Sequence, residues 1–343
     1  MSPFVKSALT WAVVIVAVGV FFAGRYVWIQ GWMNSITPVS PGICRAVATG
    51  LKDPADLAVD VSHDALFVAA VNRQAAQPYS DKQDGIYLLK LDDPAAPPIK
   101  LTGAPADFHP FSMTLFRGDD GAETLIAVDR KTSGRDMIET FNVTYDGETP
   151  KLSPQTAIQS GLLASPNGLA AASPDHFYVS NDRSTRGGPA RFAEDYLLWP
   201  HADVLAYNGT GFRIAAQRLT YPAGLLLKNG ILYVAAGNDR QILAHSQDMM
   251  GFLTPLGELS LPARPDKLSL DDHGNLIVAA QARPGSSQVY RVVLDARGVP
   301  QSYQTIFSDD GGVLHGASTA VIAGGQLFIG AADDNKVLTC PFK

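Results

Sequence analysis

"PNGLAAASPDHFYVSND" (166–182) holds two short apolar runs on either side of "SPDH". Pro, Asp and Ser between apolar runs are what a tight turn requires, so the stretch reads as a β-hairpin. Five other stretches repeat its form: a small or polar lead-in, an apolar run, a turn, a second apolar run. They are "ADLAVDVSHDALFVAAV" (55–71), "FSMTLFRGDDGAETLIAVD" (111–129), "PAGLLLKNGILYVAAGND" (222–239), "PDKLSLDDHGNLIVAAQA" (265–282) and "GASTAVIAGGQLFIGAADD" (316–334). Successive starts lie roughly 43 to 56 residues apart, the interval of propeller blades. A third alternating run follows each hairpin: "GIYLLKL", "IETFNVTY", "DVLAYN", "QILAHS", "QVYRVVL" and "KVLTCPF". Period-two alternation marks half-buried strands. A sandwich would not repeat six times at this spacing. The expectation is an all-β, six-bladed β-propeller over residues 35–343.

The first 34 residues read differently. From Ala8 to Gly24 the chain is uncharged, and Tyr26, Trp28 and Trp32 follow where an interfacial aromatic belt belongs. Extended to Ile29, the run can cross a bilayer core of about 30 Å at about 1.5 Å per residue. No small-x-small cleavage site precedes a polar start, so residues 8–29 are expected to stay as a signal anchor rather than leave as a signal peptide. Lys6 favours a cytoplasmic tail, and Arg25 on the far side works against that bias. The domain organisation expected is a tail, anchor and interfacial segment over 1–34, with the propeller on the periplasmic or extracellular side of a single-pass protein. Cys44 and Cys340 are the only cysteines, one near each end of the propeller. In an exported chain they read as a disulfide that closes the ring, the first blade against the last. The net charge of −6, with no long basic run, sets nucleic acid aside as a partner.

In a propeller the innermost strand of each blade starts at the central channel. In register, the starts are Ala55–Asp56, Phe111–Ser112, Asn167–Gly168, Ala223–Gly224, Asp266–Lys267 and Ala317–Ser318. Asp56, Asn167 and Asp266 carry the oxygens a hard cation such as Ca²⁺ takes, although Ca²⁺ takes six to eight. Lys267 stands among them, where an ammonium neutralises Asp266 and fills the charge position of a metal.

These repeats, the uncharged N-terminal run and the terminal cysteine pair together resemble the paraoxonases (serum arylesterase/lactonase type), and more distantly the SMP-30/gluconolactonase and strictosidine-synthase-like propellers. "PNGLAAASPDHFYVSND", "PDKLSLDDHGNLIVAA" and "VLHGASTAVIAGGQLFIG" carry most of the likeness. It implies a catalytic Ca²⁺ held by a glutamate, three asparagines and an aspartate. Asn167 and Asp266 match two of those positions, while Ala55, Ala223 and Lys267 occupy the others. For the second, structural Ca²⁺ it implies, Asp56 matches one aspartate, Gly168 replaces the other and Met113 would give the carbonyl. The implied histidine dyad falls on Phe111 and Asp129, and a pocket histidine on Gln281. His109, two positions from Phe111, is the remaining histidine candidate, so His109 and Asp129 are the weak catalytic candidates.

No nucleophile elbow, H-E-x-x-H or phosphate-binding loop is present. One insertion, "RSTRGGPARFAEDYLLWPHA" (183–202), contains a short helical pattern with Phe192, Tyr196 and Trp199 near one side. A lid, a membrane contact, a partner surface and an ordinary packed loop all fit it. The functional expectation is a membrane-anchored paraoxonase-like propeller with a degenerate calcium and histidine site, Asn167, Asp266 and Asp56 being its vestiges. Such a protein would bind or assemble with a membrane partner and hold no cofactor. The alternative is an active Ca²⁺-dependent esterase or lactonase acting on a small-molecule ester or lactone. A small-molecule binding or metal-free hydrolytic propeller of the strictosidine-synthase type is the third.

Overall fold

The computed structural model describes residues 3–75, 77, 79–248 and 250–342. The side chains of Lys6 and Ala8 lie outside the described residues, as do Met1 and Ser2, so the charge bias assigned to Lys6 and the first two residues of the tail fall there too.

The strands form six four-stranded sheets, one per repeat, as the spacing predicts. Five of the sheets run outward in chain order through antiparallel pairs, so their neighbouring strands follow one another along the chain. The hairpins read from sequence are the two inner strands of each blade. In the third blade these are Pro166–Ser173 and His176–Asn181. The outermost strands, among them Phe212–Leu219 and Pro300–Asp309, are partly exposed and do not stand out in the apolar pattern. Apolar residues of successive blades interdigitate: Phe67 and Leu88 of the first blade pack with Leu125 and Phe141 of the second. That face-to-face burial is the main force holding the ring.

The last sheet departs from chain order. Its outer strand is Arg45–Val47, from the N-terminal side of the propeller, paired with Val337–Pro341. Cys44 is disulfide-bonded to Cys340 across 296 residues of sequence. The expected bond is present, but it lies within the last blade instead of between the first and the last. The reason is register: Arg45 faces Thr339, so the cysteine before the one strand meets the cysteine in the other.

Every inner strand carries an irregularity in its first residues, between Pro54 and Asp56, Pro110 and Ser112, Pro166 and Leu169, Pro222 and Leu225, Pro265 and Leu268, and Ala317 and Thr319. Proline lacks an N–H for the ladder and sits at the strand's start, where none is needed. A bulge puts two residues opposite one and re-aims their side chains. These bulges coincide with the positions that converge on the axis.

One helix, α1 (Pro3–Ile29), precedes the propeller. It is long and apolar enough to cross a membrane, and a signal sequence passes the same test. Its end is fastened to the ring. Arg240 Nη2 donates to the Ile29 carbonyl at 2.7 Å, Arg264 Nη1 to Gln30 Oε1 at 2.8 Å, and Asn34 Nδ2 to the Ala282 carbonyl at 3.1 Å. The second helix, α2 (Gly188–Leu197), arises in the 183–202 insertion. Tyr196 on α2 meets Tyr26 on α1 with ring centroids 5.1 Å apart, and Phe192 meets Tyr196 at 4.6 Å. Trp199 lies beyond the helix and pairs with His201 instead.

Candidate functional site

Two cavities lie along the axis. The upper, about 240 Å³, opens on the side where α1 is fastened and is lined by Gln30, Tyr221, Arg264, Asp266, Gln281 and Arg283 among others. The lower, about 390 Å³, runs between the inner strands and has Asp56, Ser112 and Lys267 at its upper end. The residues of the bulges form the partition between them.

Lys267 is at the centre of that partition and is 7% exposed. Its ammonium has three protons and three acceptors: Asn167 Oδ1 at 2.6 Å, the Asn167 carbonyl at 3.1 Å and Ser112 Oγ at 3.1 Å. Ser112 Oγ donates onward to Asp56 Oδ2 at 2.7 Å. Asp56 also accepts the N–H of Met113 at 2.9 Å and of Leu57 at 3.0 Å. Asn167 Nδ2 turns the other way and donates to Asp182 Oδ2 at 3.0 Å. Burial lowers the Lys267 pKa, while Asp56 and Asp266 pull it back up.

Three of the four residues expected at the axis, Asp56, Asn167 and Lys267, therefore form one network. Asp266 does not join it: among the described residues it is no ion-pair partner of Lys267, contrary to the expected neutralisation. The bulge gives the physical reason, because it sends consecutive side chains to opposite sides, Asp266 to the upper cavity and Lys267 to the lower. Enclosure by protein raises the Asp266 pKa to about 6, against the pull of Lys267 and Arg73.

Gly168 and Gly224 explain part of the ring's pattern. A Cβ on Gly168 would sit 2.2 Å from the Ala223 carbonyl, and one on Gly224 would sit 2.2 Å from the Asp266 carbonyl. Adjacent inner strands approach too closely there for any side chain. The aspartate that the resemblance implies at position 168 has no room.

His109 and Asp129 are close only through the main chain, the His109 N–H donating to Asp129 Oδ1 at 2.8 Å. The His109 ring lies between Asp84 Oδ2 at 2.7 Å and Asp107 Oδ1 at 3.0 Å. Asp129 is fully buried and ion-paired with Lys131. Neither lines either axial cavity. Phe111 is clamped between the Arg73 and Arg130 guanidinia, 4.4 and 4.2 Å from its ring centroid. Gln281 lines the upper cavity and donates to the Ala317 carbonyl at 3.3 Å.

Sequence reasoning missed Asp182 and the linking role of Ser112. Asp182 is itself anchored by Ser165 Oγ at 2.6 Å and by Arg183, whose guanidinium stacks on Tyr221. The signal was the register of the bulge, which places the end of one strand beside the start of its partner.

The arylesterase family model matches residues 76–341. Rat serum paraoxonase/arylesterase 2 is 27% identical over 313 residues, covering 84% of this chain and 85% of that protein. Human serum paraoxonase/arylesterase 1 is 25% identical over 269 residues, covering 74% of each. Among solved structures, a calcium-binding protein, regucalcin, from Agrobacterium tumefaciens matches with a TM-score of 0.54 at 12% identity, covering 89% of this chain and 95% of that one. The aldose sugar dehydrogenase of Streptomyces coelicolor gives 0.55 at 16%, with 89% and 99% covered. At these identities the two structures speak for the fold alone.

Proposed function

The chain belongs to the arylesterase family, and from that premise we propose that it is a propeller whose central metal position has been given over to Lys267. In this reading it is anchored in a membrane by residues 8–29, with 1–34 as tail, anchor and interfacial segment. The propeller, 35–343, sits on the periplasmic or extracellular side and binds or assembles with a membrane partner.

The observation that carries the reading is the coordination of the Lys267 ammonium by Asn167 and Ser112. The donor set does not fit Ca²⁺. Asp56 and Asn167 already serve main-chain amides, Ser112 and the ammonium, while Ala55 and Ala223 bring no side-chain oxygen. A divalent cation beside a buried ammonium would meet repulsion with few oxygens to offset it. Retention of the anchor is supported by the bonds from Arg240, Arg264 and Asn34 to residues 29, 30 and 282, which tie the helix end into the ring.

The second reading is a Ca²⁺-dependent esterase or lactonase with a remodelled site. The upper cavity favours it, because Asp266 there combines a carboxylate titrating near pH 6 with Arg264 and Gln281. Relatives carrying the names paraoxonase and arylesterase favour it as well. The deciding experiment takes the full chain in detergent and measures bound calcium together with hydrolysis of phenyl acetate and a simple lactone, with and without chelator. The first reading expects no stoichiometric calcium and no chelator-sensitive turnover. Calcium bound at one equivalent, with hydrolysis lost in chelator, would replace it with the second.

A further inference from the structure

At the opposite end of the inner strands, where the first two blades meet, three ligand atoms converge: a carboxylate oxygen of Asp60, a carboxylate oxygen of Glu123 and Nδ1 of His63, all within 4.8 Å of one another. Asp60 ends the inner strand Pro54–Asp60, His63 lies in the turn after it, and Glu123 begins the strand Glu123–Asp129 of the next blade. Asp60 and Glu123 are buried, at 1% and 6% exposure. The His63 side chain is 39% exposed, which gives an ion and a water molecule a way in.

Each group is held in place by a neighbour outside the triad. Tyr145 donates its hydroxyl to Asp60 Oδ2, and the Ser62 N–H donates to Asp60 Oδ1 at 3.0 Å. The His63 ring stacks on the Tyr145 ring with centroids 3.6 Å apart and planes 14° from parallel. Arg117 reaches Glu123 Oε1 at 3.4 Å. The other carboxylate oxygen, Glu123 Oε2, is buried without a hydrogen-bond partner and lies 3.8 Å from His63 Nδ1. A buried carboxylate oxygen with nothing to accept is costly, and a cation among these atoms supplies what it lacks.

We propose that Asp60, His63 and Glu123 form a divalent-metal site of the zinc class that clamps the first blade to the second. Two carboxylates balance a dication. One imidazole selects against Ca²⁺ and Mg²⁺, which take oxygen alone. Three protein ligands with an open side are a zinc arrangement, water completing the set. His63 Nδ1 now shares a hydrogen bond with Asp60 Oδ2 at 2.8 Å, which the ion replaces. His63 then coordinates through Nδ1 with its proton on Nε2, and Tyr145 and Arg117 fix the carboxylates from behind. The site is independent of the axial network, from which it differs in residues, in end of the fold and in metal class.

The test uses the full chain without a histidine tag, stripped with chelator, dialysed and titrated calorimetrically with zinc chloride. One equivalent is expected to bind, with calcium failing to compete. Glu123→Gln and His63→Ala should each weaken the affinity at least about tenfold, and X-ray absorption should give one imidazole nitrogen among oxygens. His176→Ala, at an exposed histidine of the third blade outside the cluster, should leave zinc binding unchanged. Should Glu123→Gln fail to fold, His63→Ala decides the matter, since its side chain is partly in solvent. Absence of a stoichiometric zinc site in the wild-type protein would overturn the proposal, as would affinity within threefold of wild type in His63→Ala.

Discussion

Asp56 and Asp60 lie on one inner strand, four residues apart, and meet opposite circumstances. Asp56 at the upper end accepts three hydrogen bonds and faces, through Ser112, an ammonium whose own protons are all placed. Asp60 at the lower end sits beside a second carboxylate with one oxygen unpartnered and a half-exposed imidazole. Both places hold buried carboxylates near the seam of blades. Asp60 also accepts three bonds, from Ser62, His63 and Tyr145; what separates the two ends is the second carboxylate, Glu123, whose Oε2 has no donor. At the upper end the protein supplies its own cation, which leaves little for an added one. At the lower end it leaves a carboxylate oxygen unpartnered.

The largest test of that contrast is Lys267→Met, which keeps the volume and deletes the charge. Asn167 Oδ1, the Asn167 carbonyl and Ser112 then lose a common partner inside a closed space. A loss of about 2–4 kcal/mol is expected, read by chemical denaturation of the purified chain. A neutral or stabilising result would mean that the ammonium is not what holds the partition together.

Next in size is the pair Asp56→Asn and Asp60→Asn, compared in metal-free buffer. An amide at position 56 keeps one acceptor oxygen for three donors, so a loss of about 1–3 kcal/mol is expected. At position 60 the change removes one charge of the close carboxylate pair, which offsets the weakened bonds from Tyr145, Ser62 and His63. Its cost should stay below about 1 kcal/mol. Equal losses at both positions would erase the distinction between a closed end and an open one.

The fold was legible because each repeat is local. A hairpin such as 166–182 carries its own turn chemistry and alternation, and six copies at one spacing leave few architectures. The outer strands escaped because half-buried strands such as Phe212–Leu219 lack a clean apolar face. The axial residues were legible one at a time, since register alone assigns Asp56, Asn167 and Lys267 to the strand starts. Their bonding was not, because a bulge shifts the pairing by a residue and decides which side each chain faces. That is why Asp266 was expected beside Lys267 and is found in the other cavity. The lower cluster had no sequence signature: His63 sits in a turn, and Glu123 lies 60 residues further on, in the next repeat.

Asp266 offers the finest discrimination between the two cavities. Its folded pKa, about 6, lies above the ordinary carboxylate value of 3.8 because enclosure disfavours the charged form more than Lys267 and Arg73 favour it. A group whose pKa is raised on folding binds its proton more tightly in the native state. Stability is then greatest below pH 4, falls as pH rises from about 4 to about 6, and is flat above. Asp266→Asn cannot titrate and should remove this slope. The variant should melt with the wild type near pH 4 and higher above pH 6. If the variant melts lower at pH 7, the attraction to Lys267 and Arg73 outweighs enclosure. Asp266 would then belong with the closed network after all, and the partition would be a single electrostatic unit spanning both cavities.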